Sequence, residues 1–393
     1  MITKFVNLFK EFFDSEKVAG LSLVLCAIIS LFIANSSIGD DYIHFMHSKA
    51  DLSFANISLN LSVEHWVNDG LMAIFFLMVG LEVEREIYIG ELADFKKAVL
   101  PLAGAIGGIC MPALIHFVLN KGTATQGGFA IPMATDIAFA LGILALAGDK
   151  VPVAVKVFLT ALAIIDDIGA IMVIALFYTK TVLFSYLLIA LAILTGLFIL
   201  NRLKVCQLVF YILPGIVMWY CFLKSGVHAT IAGVLLAFVV PFHKDNAHSV
   251  SYKLQHVLHK PVAFIIVPIF ALVNTAILIP PNIIASLSTS KSLGIMLGLI
   301  VGKVLGIFSI PLLLVKVGWA QLQEGLTWKN LLGIGLLGGI GFTMSMFISN
   351  LAFADPGLVS TSKLSVMTGS AIAAITGLIV FLTNRDDINK VLT

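Results

Sequence analysis

The chain has 393 residues, 59% of them hydrophobic and only 12% charged, with a mean hydropathy of +1.05. A soluble domain carries about 25% charged residues, so most of this surface must face something other than water. A formal net charge of +2 without a basic run argues against a nucleic-acid partner. Cys26, Cys110, Cys206 and Cys221 stand singly in apolar stretches, a pattern of buried small hydrophobes that implies no zinc site or disulfide framework, and no cofactor is expected.

In chain order, the opening stretch mixes Phe5, Leu8, Phe9, Phe12 and Phe13 with Lys4, Lys10, Glu11 and Asp14. That composition predicts an amphipathic helix over 1–14 lying on the membrane surface, and not a signal peptide. A spanning helix needs about 20 mostly apolar residues. Twelve such windows start near residues 15, 62, 98, 124, 153, 184, 208, 226, 256, 293, 330 and 360. The seventh and eighth are short and divide around Lys224-Ser225-Gly226. The expected fold is an all-α integral membrane protein, one transmembrane domain over 1–393. In the loop before the second window Leu52, Phe54, Ile57, Leu59 and Leu61 alternate around a possible turn at Ala55-Asn56. Period-two spacing suggests a small external β-hairpin over 50–62. A lone hairpin is marginal in water, so it either pairs with a second copy of the chain or is unspecific loop.

Twelve spans put both termini on one side. Most basic residues fall there, among them Lys4, Lys10, Lys17, Arg85, Lys96, Lys97, Lys156, Arg202 and Lys204. Lys49, Lys121, Lys224, Lys291 and Lys363 are among the few opposite, so the positive-inside rule places both termini in the cytoplasm.

Four ionisable residues lie inside windows: Asp136, Asp166, Asp167 and Lys303. Such residues are costly in a membrane and mark function by default; a structural ion pair is the plain alternative for any one of them. One lysine cannot neutralise three acids. The surplus carboxyls must hold protons, hold a cation, or sit in water. Asp166 and Asp167 are neighbours, about 100° apart around a helix, so one can meet Lys303 while the other faces an ion. Close buried acids titrate as a coupled set, and a carboxyl that holds a proton cannot also hold a small hard cation. Competition of that kind suffices for an exchanger.

The fourth window is interrupted by Gly127-Gly128 and Pro132 just before Thr135-Asp136, and the eleventh by Gly333, Gly335, Gly338, Gly339 and Gly341. Proline removes a backbone donor and disfavours helix before it. Glycine alone can serve packing, but two interrupted spans in matching halves point to a midplane site between inverted repeats. On this reading spans 3–5 (98–178) mirror spans 10–12 (293–385). Asp136 would offset the positive ends of the half-helices and Lys303 the negative ends. Thr135 adds an oxygen suited to sodium or lithium.

The segments Ala130-Ile-Pro-Met-Ala-Thr-Asp136, Ala161-Leu-Ala-Ile-Ile-Asp-Asp-Ile-Gly169 and Leu337-Gly-Gly-Ile-Gly-Phe-Thr343 resemble the NhaA-type sodium/proton antiporters of bacterial inner membranes. The resemblance runs nearly end to end. It implies twelve helices with crossed, unwound chains in spans 4 and 11, and helices within 184–275 serving as an interface panel. It implies that Asp166 and Asp167 bind Na+ or Li+ and protons, with Asp136 and Lys303 as electrostatic partners. It also implies a homodimer joined partly through the hairpin, exporting sodium or lithium in exchange for protons under the control of cytoplasmic pH. Positions matching the pH-responsive groups are Glu82, Arg85, Glu86, His228, Lys253 and His256, although Glu82-Val-Glu-Arg-Glu86 also reads as a solvated helix end. The family often carries glutamate where this chain has Gln255, which cannot titrate.

Three rivals share these features. A cation channel could use the same acids, but a dehydrated, titrating site suits alternating access. A sodium-coupled symporter would want polar substrate contacts. An intramembrane aspartyl protease also pairs two aspartates, but its Gly-x-Gly-Asp element is absent from Ile164-Ile-Asp-Asp-Ile-Gly169.

Overall fold

A computed structural model of the chain describes residues 2–53, 58–148, 151–179, 182–242 and 249–383, the side chains of 2–17 and of Phe95 excepted. The helices, in order, are α1 (Ile2–Ala34), α2 (Gly39–His47), α3 (Val63–Tyr88), α4 (Phe95–Leu119), α5 (Ile137–Leu146), α6 (Val153–Phe177) and α7 (Phe184–Arg202). They continue with α8 (Val209–Ser225), α9 (Ile231–Ala237), α10 (Val250–Asn274), α11 (Ile283–Leu287) and α12 (Ser290–Val317). The last three are α13 (Trp328–Gly338), α14 (Phe342–Ala352) and α15 (Pro356–Thr383). Among the described residues seven helices are long and apolar enough to cross a membrane, or up to ten if each bent pair counts as one span. The chain is a multi-pass membrane protein.

Several expectations are refined. Among the described residues no break separates 2–14 from the first span, because α1 is one continuous helix. It is followed by α2 at a bend of 113°. The eighth window forms only the seven-residue α9. Gly226, at φ +85°, ends α8 in the left-handed region where glycine carries no Cβ penalty. The hairpin strands β1 (Lys49–Asp51) and β2 (Asn60–Ser62) pair antiparallel, with Lys49 opposite Ser62. Phe54, Ala55, Asn56 and Ile57, where the turn was expected, lie outside the described residues.

The chain divides into two compact units, with boundaries inside α1 and α6. One comprises residues 26–93 and 171–276. Its core packs Leu77 and Leu81 of α3 with Tyr211, Met218 and Phe222 of α8 and Leu236 of α9. The other comprises 1–25, 94–170 and 277–393 and holds every intramembrane charge named above. Its central packing is α4 against α12. Gly107 and Gly306 face each other there so closely that a Cβ on either would strike the other's backbone. Small residues let membrane helices approach in this way. Gly306→Val is therefore expected to push α12 off α4, costing about 1–3 kcal/mol and lowering the melting temperature in detergent; an unchanged melting temperature would contradict the close approach.

Candidate functional site

Two interrupted helices meet inside this second unit. The residues before Asp136 wind as a tighter 3-10 helix (Gln126–Met133) that includes Pro132; an extended stretch follows, and α5 starts 45° off its axis. The pair α13 and α14 bends by 45° at Gly339-Ile340-Gly341. The breaks bond to one another: the Asp136 N–H donates to the Ile340 carbonyl at 2.6 Å. The Thr135 hydroxyl lies 2.8 Å from the Gly338 carbonyl. Backbone groups that lose helical partners are thus paired across the two breaks, as a non-aqueous interior requires.

Asp136 sits at two helix N-termini. It is the N-cap of α5, accepting from the Phe139 N–H at 2.9 Å. Its other oxygen accepts from the Thr343 N–H at 3.1 Å and the Thr343 hydroxyl at 2.5 Å, in the first turn of α14. One carboxylate therefore meets two positive dipole ends. The second bonding residue, Thr343, was quoted in the motif but was not assigned a role. Thr343→Val is expected to leave part of Asp136 unsatisfied and to cost about 1–3 kcal/mol, with Thr343→Ser restoring most of it. Thermal unfolding of the two variants in detergent checks this, and equal loss in both would contradict it.

Lys303 is fully buried, 0% exposed, and follows a π-helical turn (Gly298–Gly302) within α12. Such turns re-aim side chains and recur at functional sites. Its ammonium lies 2.5 Å from Asp166 Oδ2 and 3.0 Å from the Thr135 hydroxyl. Of the two adjacent aspartates, either of which could meet Lys303, Asp166 does so, and Thr135 stands between the lysine and the negative helix ends. Thr135 couples it to one of them indirectly, since the same hydroxyl touches both Asp166 Oδ2 (2.6 Å) and the Gly338 carbonyl at the end of α13. A hydroxyl has one proton, so Thr135 can donate to only one of those oxygens at a time.

Asp166 and Asp167, on α6, are 0% and 1% exposed. Asp166 Oδ1 is buried without a hydrogen-bond partner, while Asp167 is electrostatically coupled to Lys303. All five predicted ion-site residues (Thr135, Asp136, Asp166, Asp167 and Lys303) therefore belong to one unit. Those five supply three buried carboxyls and one buried ammonium. Among the described residues no group of three or more His, Cys, Asp or Glu has the geometry of a tight metal centre. Carboxylate, hydroxyl and carbonyl oxygens remain, the donor set that hard monovalent cations prefer over nitrogen or sulfur.

The predicted pH-responsive residues belong to the other unit. Arg85 pairs with Glu86 at 3.0 Å, and Glu82 is hydrogen-bonded to Gln255 of α10. Beside them Glu84, which the sequence reading passed over, is 6% exposed and accepts from the Ser251 hydroxyl at 3.1 Å. Lys253 and His256 are exposed, and Arg85 and His256 both act electrostatically on His259. His228 Nε2 lies 3.0 Å from the Tyr178 carbonyl.

A multi-pass helical protein whose two broken helices meet around buried carboxyls and one ammonium is an ion-coupled membrane transporter. The sequence profile described as Na+/H+ antiporter 1 matches residues 10–381. A Na(+)/H(+) antiporter NhaA of Flavobacterium psychrophilum is 56% identical over 374 residues, covering 95% of each chain. Another from Dechloromonas aromatica is 54% identical over 94% of each chain, and NhaA 1 of Flavobacterium johnsoniae is 52% identical over 98% of this chain and all of its own. The chain belongs to this Na+/H+ antiporter family, a family of transporters and not of proteases.

Proposed function

We propose that the chain is a secondary antiporter that exchanges Na+, or Li+, for H+ at Asp166 and Asp167, without a resident cofactor. The observation that carries this is the charge imbalance of the buried site: Asp136, Asp166 and Asp167 against Lys303 alone. A dry interior does not hold two uncompensated negative charges. Either protons or a metal cation must neutralise the surplus. When sodium takes the carboxylates the protons leave, and when protons return the sodium is expelled. Lys303, 2.5 Å from Asp166, fits the role of an internal cation that holds Asp166 while the ion is away. Thr135 supplies a further oxygen, and Asp136 holds the two broken helices in register.

The finer reading has twelve spans, with 98–178 and 293–385 as inverted repeats. Both termini lie in the cytoplasm of a bacterial inner membrane, and a homodimer is joined partly at the hairpin, with lipid around it. The two interlocked breaks, each bent by 45°, support the repeat. If two protons return for each ion expelled, every cycle carries one net charge inward, and the membrane potential adds about 2.3 kcal/mol per 100 mV to export. Control by cytoplasmic pH is assigned to Glu82, Arg85, Glu86, His228, Lys253 and His256. The Glu82–Gln255 hydrogen bond supports coupling of α3 to α10 there; Gln255→Glu is expected to shift the pH profile of exchange in everted vesicles. Vesicles given a sodium pulse at fixed pH test the main reading. Proton movement coupled to sodium supports exchange, whereas sodium flux with no obligatory proton movement would leave a channel or symporter.

A further inference from the structure

A second buried polar cluster lies in the unit that holds the ion site, at the end of α4. His116 there is 0% exposed. Its Nε2 lies 3.2 Å from the Thr125 carbonyl, which only accepts, so Nε2 carries the hydrogen. Its Nδ1 is buried and has no hydrogen-bond partner. Gly294 of α12 packs over that atom so tightly that a Cβ would stand 2.7 Å from it, which leaves no room for an acceptor. Asn120, one turn on, donates to the Ser290 carbonyl at 3.1 Å and accepts from the Thr125 hydroxyl at 2.8 Å. Lys291, 4% exposed, donates to the Leu358 carbonyl at 2.9 Å and to the Thr361 hydroxyl.

This cluster ties α4, the 3-10 helix over 126–133, α12 and α15 together. The charged groups those elements bring to this end are Lys291 on α12, Asp355 just before α15, Lys363 within it, and exposed Lys121 after α4; the 3-10 helix brings none. Lys291 is the one that acts electrostatically on His116, and Asp355 acts on Lys291. A second proton on His116 would sit on Nδ1 with no acceptor, and would add a cation beside Lys291. Water can reach that proton only if α4 and α12 part.

We propose that His116 is a proton-operated latch: neutral, it clamps α4 to α12 and to the 3-10 helix, and protonated, it releases them. Both clamped elements lead into the ion site. The 3-10 helix runs on to Thr135, and Lys303 lies further along α12, about 18 Å from Lys291 at 1.5 Å per residue. By the orientation proposed above, on which this inference rests, the latch faces the outside. External acid then slows exchange, which would limit the return of protons when they are abundant.

Proteoliposomes of one orientation test this, with the pH on the latch side stepped from 8 to 5 and the opposite side held constant. In the native protein, sodium-driven proton movement is expected to fall with an inflection as the latch side is acidified. His116→Gln, whose amide still donates to Thr125, is expected to match the native rate at pH 8 and to lose the inflection. The same inflection in the variant, or an inflection seen only on stepping the other side, overturns the latch. Hydrogen–deuterium exchange at the His116 ring C2 and at the amides of 290–294 provides an arm independent of transport and of the variant's folding. Loss of amide protection as the ring titrates supports the latch, and titration with unchanged protection overturns it. Absence of any sodium–proton coupling in the native protein would count against the antiporter reading and leave this second arm intact.

Discussion

Asp167→Asn is expected to abolish sodium-driven proton movement in everted vesicles, with a fall on the order of 100-fold or more, equivalent to about 2.7 kcal/mol. Asparagine keeps the shape of the side chain but can neither release a proton nor supply a formal charge to a cation. Asp167 is 1% exposed, so no water-facing group can stand in for it. Asp166→Asn is expected to be equally inactive, and in addition leaves Lys303 without the carboxylate 2.5 Å away. The two variants therefore separate by stability, Asp166→Asn unfolding at the lower temperature. Near-native exchange by Asp167→Asn would contradict the assignment of the site.

Lys303→Ala is expected to destabilise the protein by about 3–5 kcal/mol. Both partners of its ion pair have side chains that are 0% exposed. Removing one leaves the other charge in a medium that cannot solvate it, whereas removing both leaves no charge at all. Lys303→Ala with Asp166→Ala is accordingly expected to unfold at a higher temperature than Lys303→Ala alone, although neither transports normally. Where Lys303→Ala retains activity, its pH profile is expected to move, because the electrostatic balance of the carboxyls has changed. A double variant less stable than the single one would show that the pair contributes little beyond packing.

The buried charges were legible because a membrane span makes every ionisable residue conspicuous. Asp136, Asp166, Asp167 and Lys303 stand out against apolar neighbours in a way they would not on a soluble surface. The breaks were legible for a related reason: Pro132 and, among the glycines of 333–341, Gly339 and Gly341 stand where helical order is lost, while Gly333, Gly335 and Gly338 stay within α13. Thr343 was not legible. A threonine in a membrane helix commonly bonds its own preceding turn, as Thr376 does to the Ile372 carbonyl at 2.7 Å. Only the crossing of the breaks shows that Thr343 turns to Asp136 instead. The partner of Lys303 was half legible: the offset of about 100° between neighbours on a helix allows one of Asp166 and Asp167 to meet it, and only the 2.5 Å contact shows that it is Asp166. Glu84 was missed because Glu82-Val-Glu-Arg-Glu86 also reads as a solvated helix end. The bond from Ser251, far along the chain, is what distinguishes it.

Measuring the sodium affinity of purified protein against pH, together with the protons released on binding, reaches the centre of the account. Where a proton and a sodium ion compete for one carboxylate, lower pH must weaken sodium binding, by about tenfold per pH unit for each competing proton at the acid end. Sodium added to lightly buffered protein is expected to acidify the solution, and Asp167→Asn is expected to abolish that acidification. An affinity for sodium that is flat across the pH range, with no proton released, would contradict exclusive occupancy of the site.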